Sequence, residues 1–575
     1  MYQKIAVAAG VLAVGLGLVA APARAERPRV YAITNVKIVA APGRVIDQGT
    51  VVLRDGLIEA VGAKVIVPPD AVEIDGTGKI VYPGLIDAYT HLGLRRATGA
   101  APAAATARGG PGRPAAPAPI MELAPRRETP AGAVHPISRV RPETQARDQI
   151  VRFDDDDGRD AERYRGMGFT TVLTVPESGI FRGESALINL RDGAPAPDLI
   201  VKDRVAQHVA LEAGGFRGGG GGYPVSLMGV AATVRQVLLD ADRHLTWRKR
   251  HAAQPAGMRR PETSPALEAL APALDRLRPV VFEVESNLNA LLADRLAREF
   301  NLKAVLAGSG LEWEQLEQIK ATGRTLILPA AIPEKPKVDD PEEVLNVDTR
   351  ELRRYVQAPE NPRRLHEAGL RFALSTRGLR NPADFPRHMR KIIEAGLPAD
   401  VALAALTTVP AEMFGVSAML GTVEPGKIAN LFVADGDLFA EKTKVRLVFV
   451  DGHEYKLEED RKAKGDPNAV VDPRGTWSVT TSLPGGRSST STWKIKGTQG
   501  DYSGTVESPR GTSEFSALRL EGNALTVTMP GFGRQGSMEI TVIVTGESFE
   551  GTAAQGPMSV TVKGTRTAGP EGSTR

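Results

Sequence analysis

The sequence predicts an α/β protein built on a (β/α)₈ barrel of the TIM type, with strand-rich segments before and after it. Three observations support this fold class. From about 145 to 455, short apolar runs alternate with amphipathic helical stretches, as in repeated β–α units around a parallel sheet. Residues 30–80 read as strands alone. Residues 474–566 show alternating apolar and polar runs with Gly, Asn and Pro at the turns, which predicts a separate all-β domain.

The first 25 residues are typical of a signal peptide. Lys4 supplies a short positive start, residues 5–20 are apolar, and Ala23-Arg24-Ala25 offers a small-residue cleavage pattern. An uncleaved N-terminal anchor is the alternative. The 575-residue chain contains no cysteine, which excludes disulfides and thiolate ligands. We therefore expect an exported protein, periplasmic or extracellular, without a stable membrane span after cleavage.

Individual elements of the barrel can be assigned from the apolar runs. In the strand-rich start, Asp55-Gly56 stands between two alternating runs, which strongly indicates a β-hairpin. Five barrel strands are predicted at 170–175, 279–284, 303–308, 325–330 and 371–376. Two low-complexity insertions interrupt the barrel: 97–119, which is rich in Ala, Pro and Gly, and 214–222, a glycine-rich segment expected to be a flexible loop.

The net charge and the composition argue against nucleic acid as a binding partner. The formal net charge is only +4 and no Lys/Arg-rich run stands out, so the chain lacks the electrostatic pattern of a nucleic-acid-binding protein. A small-molecule or peptide-like ligand is the expected partner.

Residues 82–94, YPGLIDAYTHLGL, resemble the motif PG-[LF]-ID-x-H-x-H that ends the first barrel strand of the amidohydrolase superfamily. Residues 394–416 and 420–455 resemble the closing helix and the returning strands of that family. Residues 221–241 resemble a segment of its imidazolonepropionase-like and prolidase-like secreted branch. The resemblance implies a TIM-type barrel with a small composite β-sandwich domain, completed by the returning strands.

The expected domain organisation follows from these patterns. Its parts are a signal peptide at 1–25, a composite β-domain at 26–81 plus 420–455, the barrel at 82–419, a linker at 456–473, an antiparallel β domain at 474–566 and a disordered tail at 567–575.

The resemblance also implies a chemistry. Members of this family hold one or two divalent metals, such as zinc, with two histidines of the first strand, further histidines from the fifth and sixth strands and an Asp from the eighth. The metal lowers the pKa of a bound water and polarises the scissile carbonyl, while the Asp acts as base. The family activity implied is hydrolysis of non-peptide C–N bonds in amides and cyclic amides.

At most of the implied ligand positions this sequence has another residue. Tyr89 replaces the first histidine and His91 retains the second, whereas Glu283, Ala307 and Arg377 occupy the positions on the fifth, sixth and eighth strands. A neutral tyrosine, with a pKa of about 10, ligates poorly at pH 7. Alanine cannot ligate, and an arginine brings a fixed positive charge to the place of a metal dication.

The candidate pocket therefore comprises Asp87, Tyr89, His91, Glu283 and Arg377. We expect Arg377 to pair with Glu283 or Asp87, no cofactor to be bound, and the barrel to serve as a non-catalytic binding or scaffold module. Two alternatives remain. One is an active hydrolase with a remodelled single-metal site, where zinc or another divalent metal would use His91 and Glu283 with Asp87. The other is a metal-independent enzyme built on Arg377, Glu283 and Tyr89.

Other polar residues are interpreted as structural. His208, His366 and His388 are expected to be surface or packing residues, and Lys202 is the nearest candidate for a metal-bridging lysine. No GxSxG elbow accompanies the serines near the pocket, so a serine-hydrolase mechanism is not favoured.

Overall fold

A computed structural model of the protein divides into two compact units, Met1–Arg380 with Arg387–Tyr455, and Asn381–Pro386 with Lys456–Arg575. The signal-peptide segment and both insertions predicted from the sequence lie outside the residues that the structure describes. Those residues are 30–95, 135–153, 155–213, 223–336, 347–457, 466, 469–483, 487–498, 501–508, 511–515, 517–530, 537–555 and 558–569.

The strands are numbered in chain order. Those up to residue 456 are β1 (Tyr31–Ala41), β2 (Arg44–Arg54), β3 (Leu57–Gly62), β4 (Val72–Asp75), β5 (Ile80–Pro83), β6 (Leu85–Thr90), β7 (Phe169–Thr174), β8 (Phe181–Glu184), β9 (Ala186–Asn189), β10 (Ile200–Lys202), β11 (Gln207–Ala210), β12 (Val280–Glu283), β13 (Ala304–Ala307), β14 (Thr325–Pro329), β15 (Phe372–Ser375), β16 (Leu431–Ala434), β17 (Val445–Val450) and β18 (His453–Lys456).

The α-helices and 3₁₀ turns account for the segments between strands. The α-helices are Asp155–Gly166, Leu227–Ala253, Pro265–Glu268, Ala271–Leu274, Asn287–Glu299, Leu316–Thr322, Thr349–Gln357, Asn361–Glu367, Phe385–Glu394, Ala399–Leu406 and Thr408–Met413. The 3₁₀ turns are Ala146–Gln149, Ala196–Leu199, Glu312–Gln315, Ala358–Glu360 and Pro382–Asp384. Within the described part of the chain, no helix has both the length and the apolar character needed to cross a membrane.

The N-terminal and returning strands form one sheet in the order β18-β17-β16-β5-β1-β2-β3, with β4 paired to β1. The returning strands thus join the N-terminal ones, as the sequence analysis expects. The turn between β2 and β3 is the predicted hairpin, with Asp55 at φ 49° and Gly56 at φ 79°. A sandwich of two sheets was expected instead. Irregular register along β1 bends that strand, so β4 and β5 pair with it in succession within a single sheet.

The barrel region contains two sheets, β10-β9-β7-β6 and β15-β14-β13-β12-β11-β8. Strands β6 and β7 are parallel to each other, and the five strands from β11 to β15 are all parallel. The five strands predicted from the sequence correspond to β7, β12, β13, β14 and β15. The structure departs at one place from a regular succession of parallel β–α units. Strand β8 runs antiparallel to β11 in one sheet, and β9 runs antiparallel to β7 in the other. Only Ser185 separates β8 from β9, so the chain passes directly from one sheet to the other at this residue.

In the described part of the C-terminal unit, nine strands form one antiparallel sheet. These are β19 (Gly475–Leu483), β20 (Arg487–Thr498), β21 (Asp501–Ser508), β22 (Gly511–Glu514), β23 (Ala517–Glu521), β24 (Ala524–Pro530), β25 (Ser537–Thr545), β26 (Ser548–Gln555) and β27 (Met558–Ala568). Strand β19 pairs with β27 and β21 lies against β23, so the sheet curls around a buried apolar core. Six to eight strands were expected; β22 is exposed along its whole length and therefore lacks an alternating pattern. The last strand also ends two residues beyond the predicted limit of 566.

The core of the C-terminal unit depends on three aromatic rings. The Phe549 ring centroid lies 4.9 Å from that of Trp477 and 5.4 Å from that of Trp493. Phe549→Ala should lower the unfolding free energy by about 3–5 kcal/mol, because it leaves a cavity between two buried indoles. Thermal unfolding followed by tryptophan fluorescence measures the effect. Arg519→Ala, at a side chain 78% exposed, is the control; equal melting temperatures for the two variants would contradict this packing.

Candidate functional site at the carboxyl ends of the barrel strands

Glu283 is the last residue of β12, only 4% exposed, and it forms a buried ion pair with Arg182. The Arg182 Nη2 atom lies 3.0 Å from the Glu283 Oε2 atom. The other carboxylate oxygen, Oε1, lies 3.6 Å from Nδ1 of His208, which is completely buried. These three side chains come from β8, β11 and β12, which are adjacent strands of one sheet. The position of a predicted metal ligand is thus occupied by an internal charge cluster.

Strand register explains why these side chains meet. Glu283 pairs in register with Ala210 on β11 and with Ala307 on β13, so all three residues share a face of the sheet. His208, two residues before Ala210, faces the same way. Arg182 lies at an irregular step, because Val209 pairs with Phe181 while His208 pairs with Gly183.

Gly183 makes this irregular step possible. Its φ of 105° favours glycine, and a Cβ atom there would lie 2.2 Å from the carbonyl oxygen of Thr144. The step leaves Arg182 unpaired in the ladder, with its side chain against Glu283.

The charge states follow from burial and contact. Burial alone would raise the pKa of the Glu283 carboxyl, but the contact with His208 and the charge of Arg182 lower it to about 2. Burial lowers the pKa of His208, so its imidazole is neutral at pH 7. The cluster therefore consists of one carboxylate, one guanidinium and a neutral imidazole.

Tyr89 lies at the centre of the predicted pocket. Its side chain is 2% exposed, and its ring contacts the rings of His91 and His208 edge-on, at centroid distances of 5.5 and 5.8 Å. The hydroxyl lies near Glu283 without meeting hydrogen-bond geometry. Burial and the charge of Glu283 raise the pKa of Tyr89 well above 10, so the phenol keeps its proton.

Asp87 connects the first and last barrel strands. This fully buried carboxylate accepts hydrogen bonds from the backbone N–H groups of Tyr89 and Thr376, both at 3.1 Å, and from the Thr376 hydroxyl at 2.5 Å. The Thr376 hydroxyl also contacts the Tyr164 hydroxyl at 2.9 Å. Burial raises the pKa of Asp87 to about 7, although these hydrogen bonds partly oppose the shift.

Arg377 does not form the ion pair expected from the sequence. Its Nη1 atom donates to the carbonyl oxygens of Ala307 and Gly308, both at 3.0 Å, and its guanidinium lies 5.3 Å from the Tyr89 ring centroid. The two expected carboxylate partners are already engaged, Glu283 by Arg182 and Asp87 by Thr376. Arg377 therefore extends from the end of β15 past β14 to the end of β13.

His91 retains the orientation of a metal-ligating histidine. Its Nδ1 atom lies 2.6 Å from the carbonyl oxygen of Val175. Because a carbonyl can only accept, Nδ1 carries the proton, and Nε2 remains the atom that could bind a metal or a ligand.

The remaining donors do not fit a metal centre of the implied kind. Tyr89 is protonated, Ala307 has no donor atom, Glu283 is held by a guanidinium, and Arg377 adds a second guanidinium near the same point. In the described ranges, no group of three or more His, Asp or Glu side chains is arranged to hold a metal ion. The chemistry of these side chains thus disagrees with the metal site implied by the resemblance.

The structure brings the five candidate residues together around Tyr89 and adds two that the sequence analysis missed. His208 was expected to be a surface or packing residue; it is a buried residue on β11 that faces the interior beside Glu283. Arg182 was not predicted, since only the irregular step in β8 directs it inward. The apolar residues on both sides of Gln207-His208, which are 205–206 and 209–211, are the one signal that could have indicated the strand carrying His208.

The other polar candidates lie elsewhere. Lys202 donates from Nζ to the carbonyl oxygen of Phe414, so it does not face the cluster. Ser375 donates to the carbonyl oxygen of Leu328, His366 is exposed, and the Nδ1 atom of His388 accepts from a backbone N–H group.

Comparisons with known proteins agree with this architecture. The sequence profile of the amidohydrolase family matches residues 337–455. An amidohydrolase from Thermotoga maritima MSB8 shares the fold with 22% identity and a TM-score of 0.56, over 74% of this chain and 100% of that one. A putative prolidase from Bifidobacterium longum is 18% identical with a TM-score of 0.42, over 75% and 95% of the two chains. A Xaa-Pro dipeptidase with bound methionine is 18% identical with a TM-score of 0.44, over 74% and 100%.

The fold is TIM-barrel-like with a large all-β C-terminal region. Residues 337–455 thus resemble the amidohydrolase family in sequence, and the fold resembles that of an amidohydrolase of known structure. The side chains at the barrel mouth have to be considered on their own, because a shared fold does not imply a shared function.

The buried ion pair should be sensitive to the loss of one partner. Glu283→Gln should lower the unfolding free energy by about 3–5 kcal/mol, because it leaves the Arg182 charge buried without its closest carboxylate. Urea unfolding followed by circular dichroism measures the change. The matched control is Glu299→Gln, which removes an exposed ion pair with Arg235 and should cost at most about 1 kcal/mol. Similar losses in both variants would contradict a buried pair.

Asp87 should give stability a defined pH dependence. Its folded-state pKa of about 7 lies above its unfolded value of 3.8, so its contribution is present below pH 3.8 and is lost as the pH rises through 7. A shift of this size corresponds to about 4 kcal/mol. The melting temperature of the wild type minus that of Asp87→Asn should therefore fall between pH 4.5 and pH 7.5. Asp47→Asn, at an exposed position of β2, is the control, and its difference should stay constant.

Proposed function

We propose that this protein is a non-hydrolytic ligand-binding member of the amidohydrolase superfamily. In this proposal the metal centre has been replaced by the Arg182–Glu283–His208 cluster. The barrel mouth holds a small-molecule or peptide-like ligand without cleaving it. The observation that supports this proposal most strongly is the 3.0 Å contact between Arg182 and Glu283. This contact places a guanidinium against the residue that would have served as a metal ligand.

The charges around the cluster support this reading. A divalent cation at this point would meet the guanidinium of Arg182 and that of Arg377, and would have to displace Arg182 to reach the Glu283 carboxylate. Without a metal, neither water activation nor carbonyl polarisation has an evident source in the cluster. A neutral His208 and a protonated Tyr89 can donate and accept hydrogen bonds, which suits binding.

Binding is favoured over a purely structural role. A buried ion pair is often no more stabilising than apolar residues of the same volume. Buried polar atoms of four side chains here lack a hydrogen-bond partner among the described residues: the Tyr89 hydroxyl, both ring nitrogens of His208, Oε1 of Glu283 and Nε of Arg182. A barrel that served only as a scaffold would gain stability by replacing these groups with apolar ones.

An active hydrolase with a remodelled site is the second candidate, and His91 is the observation that favours it. The contact between its Nδ1 atom and the Val175 carbonyl leaves Nε2 oriented as in a metal ligand. In that case His91 would bind zinc or another divalent metal, with Glu283 as the next available ligand.

We further propose that the protein is exported to the periplasm or the exterior. The apolar segment at 5–20 with its Ala-x-Ala end supports export, and so does the absence of cysteine from the sequence.

Metal content tests the proposal most directly. Protein purified without chelator should contain no stoichiometric zinc, manganese or iron by plasma mass spectrometry, and EDTA should leave its melting temperature unchanged. A metal at a hundredfold excess over its Kd would stabilise the fold by about 2.7 kcal/mol, which a thermal shift detects readily. A panel of amides, lactams and dipeptides should show no hydrolysis above background.

The His91→Ala variant separates the two candidates. For a binding protein, this variant should leave metal content and EDTA response unchanged. One equivalent of tightly held metal that is lost together with hydrolytic activity in His91→Ala would overturn the proposal and establish the hydrolase.

A further inference from the structure

Arg377 is a half-buried cation whose position is fixed but whose charge is not neutralised. Its Nη1 atom is held by two carbonyl oxygens at the end of β13, which sets the plane of the guanidinium. Among the described residues, no carboxylate lies within 4 Å of it, and its remaining donors, Nε and Nη2, make no hydrogen bond. These two atoms form the edge with which arginine binds a carboxylate through two parallel hydrogen bonds.

Apolar groups lie near Arg377 and near the residue that follows it. The Tyr89 ring lies 5.3 Å from the guanidinium carbon. Gly378, the next residue along the chain, lies beside Pro329 and Ala331 at the end of β14, and Gly310 also lies beside Pro329. An apolar group bound beside Arg377 would therefore find apolar contacts next to the same segment of the chain.

Alternative partners for Arg377 within the pocket are already engaged. Glu283 is paired with Arg182, and Asp87 accepts three hydrogen bonds from Thr376 and Tyr89. Neither carboxylate can neutralise Arg377 without losing those contacts. Among the described residues, these contacts leave neither of the two pocket carboxylates for Arg377, and a carboxylate from a ligand would fit the free edge.

We propose that Arg377 binds the carboxylate of a small organic acid, with the apolar body of that acid packed against Pro329 and Ala331. This inference rests on the proposed function and specifies the chemical class of its ligand. A planar carboxylate matches the two parallel donors, and the apolar surroundings select an organic acid over an inorganic anion.

Benzoate and its neutral isostere benzamide are suitable probes. Titration calorimetry on the full-length protein, at constant ionic strength kept with sodium chloride, should detect binding of benzoate and not of benzamide. Phosphate should bind more weakly than benzoate. In Arg377→Gln the Kd for benzoate should be about tenfold to a hundredfold higher, because a charge-assisted hydrogen-bond pair is lost.

Two further variants make the test decisive. Arg380→Gln removes the same charge three residues away, from a side chain that is 82% exposed, and should bind benzoate like the wild type. Arg377→Lys keeps the positive charge but lacks the two parallel donors, so it should also bind benzoate more weakly than the wild type. If Arg377→Gln does not fold, Arg377→Lys takes its place in the test. Equal benzoate affinity in Arg377→Lys and the wild type, or binding of phosphate in preference to benzoate, would overturn the inference.

The same samples distinguish this inference from the proposed function. Absence of metal together with absence of benzoate binding would overturn the carboxylate site alone. Stoichiometric metal together with Arg377-dependent benzoate binding would overturn the non-hydrolytic function and leave the carboxylate site established.

Discussion

The buried contact between Arg182 and Glu283 is the interaction on which the barrel mouth depends. Removing two charges from water is costly, and their mutual attraction compensates only if the geometry is held. That geometry needs the irregular step in β8, which in turn needs Gly183. Strands β8, β11 and β12 are thereby tied to one register, and His208 is held against the same carboxylate.

The buried carboxylate of Asp87 has a similar role on the other side of the barrel mouth. Asp87 on β6 binds both the backbone and the hydroxyl of Thr376, at the end of β15. This contact joins strands that belong to different sheets. It also positions the next residue, Arg377, so that its side chain extends across the mouth to the end of β13. The free guanidinium edge is thus a consequence of how Thr376 is held.

The proposed function requires the charge of a metal centre to be supplied by other groups. A cluster of carboxylates and imidazoles inside a barrel requires a cation, and a guanidinium can supply that charge as a metal does. A guanidinium cannot acidify a bound water in the way a metal ion does, so under the proposed function the cluster would bind a ligand without activating water. Hydrogen-bonding and charged groups remain at the mouth, where they suit the recognition of a ligand.

Local sequence patterns determined many of the strands and turns of this protein. The apolar runs around 280–283 and 304–307 predicted strands because a buried parallel strand must be apolar on both faces, and Asp55-Gly56 predicted its hairpin because the turn needs positive φ. The motif around Tyr89 and His91 also indicated which side chains converge. Only the tertiary structure decided their partners. Arg182 reaches Glu283 through a bulge, and Thr376 excludes Arg377 from Asp87, since both outcomes depend on strand register between segments far apart in the chain.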